Sequence, residues 1–203
     1  ATKHNPEKVL SSYSEESHLG LWLTGKRIEG AWAHPDETTS VYELKAYVEL
    51  ILRRIGFPMG GMQMKNGESD IFSKSLCLCD RNGKTYLEFG LIKKSLTSAH
   101  DIDSEVYYAD LNWSLIIKKI RNRNVSFSEI SKFPAVSRDL ALLVDKSITF
   151  SQIEQVAKAS EKKLLKKITL FDVYEGQNLE AEKKSYAVNF TLQDEQKTMN
   201  DKQ

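Results

Sequence analysis

Asp172 and Tyr174 stand two apart in the run Phe171-Asp172-Val173-Tyr174-Glu175-Gly176, and Ser185 follows Tyr174 by eleven residues. Residues two apart on a strand share a face, so the carboxylate and the phenol project together while Phe171 and Val173 share the other, packed face. A carboxylate that accepts hydrogen bonds beside a ring that stacks is suited to an unpaired nucleobase, because single-stranded RNA is read by stacking and by base-edge hydrogen bonds. The same residues also fit an ordinary solvent-facing strand, and this short run alone leaves both readings open.

The elements that must position these side chains follow from the local pattern. Residues 138–144 are rich in Leu, Ala and Val and predict a strand. Ser151-Gln152-Ile153-Glu154 predicts a capping box opening a helix with Ile153, Val156 and Ala157 on its inner face. Residues 164–174 predict a long strand, 175–183 a polar loop, and 185–192 a strand alternating Tyr186, Val188, Phe190 and Leu192. The order is β-α-β-β, and a ferredoxin-like fold adds a further helix and strand, with Thr198-Met199-Asn200-Asp201 at the start of that helix. The chain is therefore expected to be a fragment of a longer one, with apolar surface exposed in its second half.

The first half predicts a different sheet. Residues 17–24 alternate leucines and end at Gly25. Ser40-Val41-Tyr42-Glu43 predicts a capping box before a helix whose Val41, Leu44, Val48, Ile51 and Ile55 repeat at three and four, with Gly56 and Pro58 at its end. Strands over 71–79 and 84–91 meet across Asp80-Arg81-Asn82-Gly83, an Asn-Gly hairpin signal. Gly83-Lys84-Thr85 imitates the tail of a phosphate-binding loop, but the glycine needed five positions earlier is Leu78. A strand over 105–111 leads to Asn112, which caps a short helix through Trp113, Ile116 and Ile117.

Composition is that of a globular chain, with 203 residues, 40% hydrophobic and 28% charged, and a formal charge of +1. Residues 129–203 carry twelve Lys and Arg against twelve Asp and Glu, so overall charge gives no nucleic-acid footprint. Basic character is local, at Lys118, Lys119, Arg121 and Arg123 and at Lys158, Lys162, Lys163, Lys166 and Lys167. No apolar run reaches the roughly 20 residues of a membrane span, and residues 1–10 have no signal-peptide pattern, which predicts a cytoplasmic protein without membrane partners. Cys77 and Cys79 fit packing better than redox or zinc spacing, and Met59, Met62 and Met64 fit loop or core packing better than ligand binding. His4, His18, His34 and His100 are scattered, no G-x-S-x-G elbow is present, and Asp101 and Asp103 fall in a polar loop, so no catalytic or metal residues are assigned.

Four ordered blocks now narrow the choice: F-P-A-V-S-R-D-L at 133–140, F-D-V-Y-E-G at 171–176, K-K-S at 183–185 and F-T-L-Q-D at 190–194. Together they resemble the ferredoxin-fold anticodon-binding domain that ends the beta chain of bacterial phenylalanyl-tRNA synthetases. The resemblance implies that Asp172, Tyr174 and Ser185 hold the first anticodon base of tRNA(Phe), with Ala141 packing beside it. Lys162, Lys163, Lys166 and Lys167 are candidates for contacts to the tRNA backbone. L-W-L-T-G-K-R at 21–27, A-W-A at 31–33, V-Y-E-L-K-A-Y-V-E-L-I-L at 41–52 and V-Y-Y-A-D-L-N at 106–112 are similar to the end of that family's catalytic-like domain.

The implied architecture is α+β: an antiparallel class II synthetase-like sheet with helices over 1–125, then a truncated ferredoxin-like β-α-β-β domain over 126–203. In the family the first of these has lost its active site and packs on the alpha chain. The residues agree, since Gly60-Gly61 leads to Met62-Gln63-Met64 and Arg53 and Arg54 sit on the predicted helix. By resemblance, the whole enzyme is an alpha2 beta2 heterotetramer that uses ATP and Mg2+ at the alpha chain's site. This fragment is expected to hold no cofactor and to catalyse nothing alone, and the family's editing domain lies outside it. The rival reading is an interaction module that binds a protein or a small effector on a ferredoxin-like sheet.

Overall fold

In the computed structural model, residues 13–122, 124, 127, 129–176, 179–180 and 182–199 are described. His4, Arg123 of the basic run, and Asn200 and Asp201 of the further helix start lie outside them. The chain divides into two units, Ala1–Val125 and Ser126–Gln203. Both mix helices with antiparallel sheets, an α+β composition.

The first unit runs β1 (His18–Thr24), β2 (Lys26–Ile28), β3 (Glu37–Thr38), α1 (Val41–Arg54), β4 (Gln63–Asn66), β5 (Phe72–Cys79), β6 (Thr85–Ile92), α2 (Lys94–Ser98), β7 (Val106–Asn112) and α3 (Trp113–Ile120). Five strands form one sheet in the order β1-β7-β6-β5-β4, all neighbours antiparallel, and β2 pairs with β3. Leu44, Val48 and Leu52 of α1 and Ile116 of α3 pack with Leu78, Leu87, Phe89, Ala109 and Leu111. These helices cover one face of the sheet because their apolar positions recur at three and four.

One expected helix start in this unit needs correction. Ser40 Oγ accepts from Glu43 N at 3.4 Å, but the Glu43 carboxylate does not return to close a capping box. It accepts instead from Tyr47 Oη at 3.1 Å and faces Arg27 Nε at 3.7 Å, contacts that draw it away from the backbone. The expected hairpin across Asp80-Arg81-Asn82-Gly83 forms, with β5 and β6 antiparallel. Only Gly83 has positive φ, at 80°, and Asp80 Oδ1 accepts from Asn82 N and Lys84 N at 2.9 and 3.0 Å. The aspartate side chain organises a longer loop in which glycine alone takes the left-handed conformation.

The second unit contains β8 (Val136–Asp145), α4 (Phe150–Ser160), β9 (Leu165–Tyr174) and β10 (Lys183–Leu192), with sheet order β8-β10-β9. The helix begins before Ser151: Thr149 is its N-cap, and Gln152 Oε1 accepts from Thr149 N at 2.8 Å. Val156 is 67% exposed, off the expected inner face, while Ile153 and Ala157 are half-buried. Tyr186 and Val188 of β10 are buried, whereas Leu140, paired with Val188, is 49% exposed because α4 packs against β9 rather than β8.

Leu111 is fully buried in the first core, so Leu111→Ala should lower the unfolding free energy of the first unit by about 2–5 kcal/mol, read from chemical denaturation. His18 lies 2.7 Å from Asp110 across the β1–β7 pair, and that hydrogen bond raises its pKa above 6.5. The stabilisation is full below 6.5 and is lost as pH rises through the raised value. His18→Gln should therefore flatten the fall in melting temperature as pH rises above 6.5.

Candidate nucleic-acid interface

Strand β10 sits between β8 and β9, and its register brings the separated sequence blocks onto one face. Ser185 pairs with Leu143 on one side and Tyr174 on the other. Two residues along, Ala187 pairs with Ala141 and Asp172, and then Asn189 pairs with Asp139 and Thr169. Paired residues point to the same side, and successive rows on that side are about 7 Å apart. Asp172, Tyr174, Ser185 and Ala141 therefore share one open sheet face.

The chemistry of these rows suits a flat ligand. Ala141 and Ala187 give a low floor between strands, with the Asp172 carboxylate at one edge and the Tyr174 ring and Ser185 hydroxyl in the next row. Asp172 and Ala141 are exposed, Ser185 is half-buried, and Tyr174 is 45% exposed. Gly176 lies against the Tyr174 ring so closely that an added Cβ would collide with the ring and its hydroxyl. Sequence reading missed Ala187, although the alternation Ser185, Ala187, Asn189 opposite Tyr186 and Val188 carried the signal.

The opposite face holds the site in place. Lys184, in the K-K-S block, is buried under the sheet, where Nζ donates to Lys146 O at 2.8 Å and lies 4.8 Å from the centre of the Tyr186 ring. Tyr186 Oη donates to Ile148 O at 3.2 Å. Gln193 Nε2 donates to Phe133 O at 2.7 Å, joining the first and last sequence blocks through structure rather than through ligand contact.

Phe171 departs from the expected packed face. The β9–β10 register shifts between Ala187 and Val188, so Asp172 and Leu170 face consecutive β10 residues and Phe171 is the extra residue of a bulge. It is 57% exposed and lines the open face with Asp139, Thr169 and Asn189. Val173 keeps the opposite side but is also 46% exposed.

The four lysines separate. Lys166 Nζ lies 2.6 Å from Glu195, a committed pair, while Lys167 pairs with Thr191 on the open face, about 13 Å along β10 from the Asp172 row. Lys162 and Lys163 are exposed on the turn after α4, where Glu161 Oε1 accepts from Lys163 N and Leu164 N at 2.7 and 2.9 Å.

Other residue types that could do chemistry are occupied structurally. Cys77 and Cys79 are free thiols, buried with sulfurs 3.3 Å apart, and burial pushes the Cys77 thiol up to about 11, far from a reactive thiolate. Among the described residues, no group of three His, Cys, Asp or Glu side chains can hold a metal ion. Arg53 and Arg54 end α1 in solvent, and Gly60-Gly61 forms an exposed turn. No described helix is long and apolar enough to cross a membrane.

Residues 3–113 match the family described as phenylalanyl tRNA synthetase beta chain CLM domain, and residues 131–203 match the ferredoxin-fold anticodon binding domain. The whole chain is 58% identical over 202 residues to the phenylalanine-tRNA ligase beta subunit of Bacteroides thetaiotaomicron, covering 25% of that protein. It is 43% identical over 203 residues to that of Porphyromonas gingivalis, again 25% of its length. For the Syntrophotalea carbinolica beta subunit the identity is 32% over 189 residues, 93% of this chain and 23% of the relative. The chain thus spans about a quarter of the curated relatives it matches. Gly176→Ala should push the Tyr174 ring off its present position with little loss of stability, seen as a shift of the ring resonances in NMR spectra.

Proposed function

The chain belongs to the phenylalanyl-tRNA synthetase beta chain family, and from that premise we propose that its second unit grips the anticodon stem-loop of tRNA(Phe). Asp172, Tyr174 and Ser185 hold the first anticodon base, and Ala141 with Ala187 forms the floor beneath it. The observation that carries this reading is the double register of β10, which gathers four residues from three strands onto one open face. Tyr174 supplies stacking, and Asp172 accepts from the donors of a base edge. Lys167, on the same face, is the lysine placed for a backbone contact.

The first unit scaffolds the alpha chain, at whose site phenylalanine is joined to tRNA(Phe) with ATP and Mg2+. The working enzyme is an alpha2 beta2 heterotetramer in the cytoplasm. This region contributes tRNA grip and architecture to aminoacylation, and no chemical step runs through its own side chains.

The test uses the full-length beta chain assembled with its alpha chain, titrated with the tRNA(Phe) anticodon stem-loop. Tyr174→Ala should weaken binding by about five-fold to about a hundred-fold, matching about 1–3 kcal/mol of stacking. Unchanged affinity, with capture of a protein or small effector on the same sheet, would replace the anticodon reading with an interaction module. Lys167→Ala should weaken binding regardless of loop sequence and lower the slope of log affinity against log salt by about one.

A further inference from the structure

Asp139, Thr169, Phe171 and Asn189 line an open cavity of about 360 Å³ on the same sheet face as Asp172 and Tyr174. Its central row, Asp139-Asn189-Thr169, is the next same-side row after Ala141-Ala187-Asp172, about 7 Å along the strands. An unstacked single strand sets neighbouring bases at a comparable step, so a chain anchored at the first row continues across the second.

The bulge puts an aromatic ring there. With Phe171 extra in the β9–β10 register, its side chain reaches the open face at 57% exposure, where strict alternation would have sent it to the opposite side. An exposed phenylalanine costs solubility and adds nothing to the core, and a stacking platform is what such a ring offers a single-stranded nucleic acid.

The polar groups beside it are fixed in one sense. Asn189 Nδ2 donates to Ser137 Oγ and to Asp139 Oδ1, both at 2.6 Å, which uses both amide hydrogens. Thr191 Oγ1 donates to Asn189 Oδ1 at 3.4 Å, which sets that oxygen as the acceptor end. The second Asp139 oxygen, the remaining lone pair of Asn189 Oδ1 and the Thr169 hydroxyl are left to face a ligand, a set dominated by acceptors. Such a set repels a phosphate and accepts from an exocyclic amine.

We propose that this cavity is a second nucleotide subsite, in which Phe171 stacks the base next to the one on Tyr174 and Asp139, held by Asn189, accepts from that base's exocyclic amine. Adenine, cytosine and guanine each carry one and satisfy it. Uracil has no exocyclic amine and presents carbonyl oxygens to a carboxylate, so it is disfavoured.

The proposal rests on the anticodon reading and is tested beside it, in the full-length beta chain assembled with its alpha chain. Stem-loops are prepared in which each nucleotide flanking the Tyr174-bound base is in turn adenosine, cytidine or uridine. At one of the two positions, adenosine and cytidine should bind about ten-fold tighter than uridine. Asp139→Asn, which places a donor where the carboxylate was, should shrink that preference to about two-fold or less. Phe171→Ala should weaken all loops by about five-fold or more, and Phe171→Trp should restore them. If Tyr174→Ala weakens binding while Phe171→Ala and Asp139→Asn leave affinity and preference at their original values, the subsite is wrong and the anticodon reading stands. If Tyr174→Ala has no effect, both fall.

Discussion

The second unit depends on the register of β10, a strand hydrogen-bonded on both edges. A strand alternates its side chains with a period of two, so a slip of one residue would turn Ser185, Ala187 and Asn189 inward and Tyr186 and Val188 outward. Burial of Tyr186 and Val188 makes that slip costly, and the bonds from Lys184 Nζ and Tyr186 Oη to the Lys146–Ile148 turn tie the strand end. The open face is thus specified by what happens on the closed one. Buried side chains choose the register, and the register delivers Asp172, Ala141 and Ser185 to each other across three strands.

Charge follows the same division. A neutral second half is a poor general binder of polyanions, and its open face carries two carboxylates, Asp139 and Asp172. Those groups would weaken affinity for phosphates, yet they suit the donor-bearing edges of bases. On the proposed reading, affinity and specificity come from different places: stacking on rings and a lysine at the margin for the first, acceptor geometry for the second. That arrangement favours a loop whose bases are splayed outward over a uniform duplex.

Among the described residues, the first unit has more buried residues than the second. One sheet face is filled by α1 and α3, with Leu44, Ala109, Leu111 and Ile116 wholly buried. Titratable groups elsewhere in the unit are drawn into support: His18 to Asp110, Asp80 to the amides of its own loop, and Glu43 to Tyr47 and Arg27. Trp32 is fully exposed and Trp22 is 61% exposed while stacked on Tyr108.

The sequence by itself determined the longer elements, though not β2, β3, β4 or α2, and the types of residue at the site. Alternation of period two located β10, heptad-like spacing located α1, and Asn112 marked the start of α3 through its bond to Leu115 N. The order of motif blocks likewise marked Asp172, Tyr174, Ser185 and Ala141. These signals are local, set by backbone geometry and by which side chains tolerate water. Tertiary structure decided the rest. It turned Phe171 outward through a bulge that no local pattern announced, since a bulge is defined by the partner strand. It moved the α4 cap from Ser151 to Thr149, sent the Glu43 carboxylate to Tyr47 and Arg27, and committed Lys166 to Glu195. It also set Ala187 between Ala141 and Asp172, an adjacency across three strands that only pairing can create.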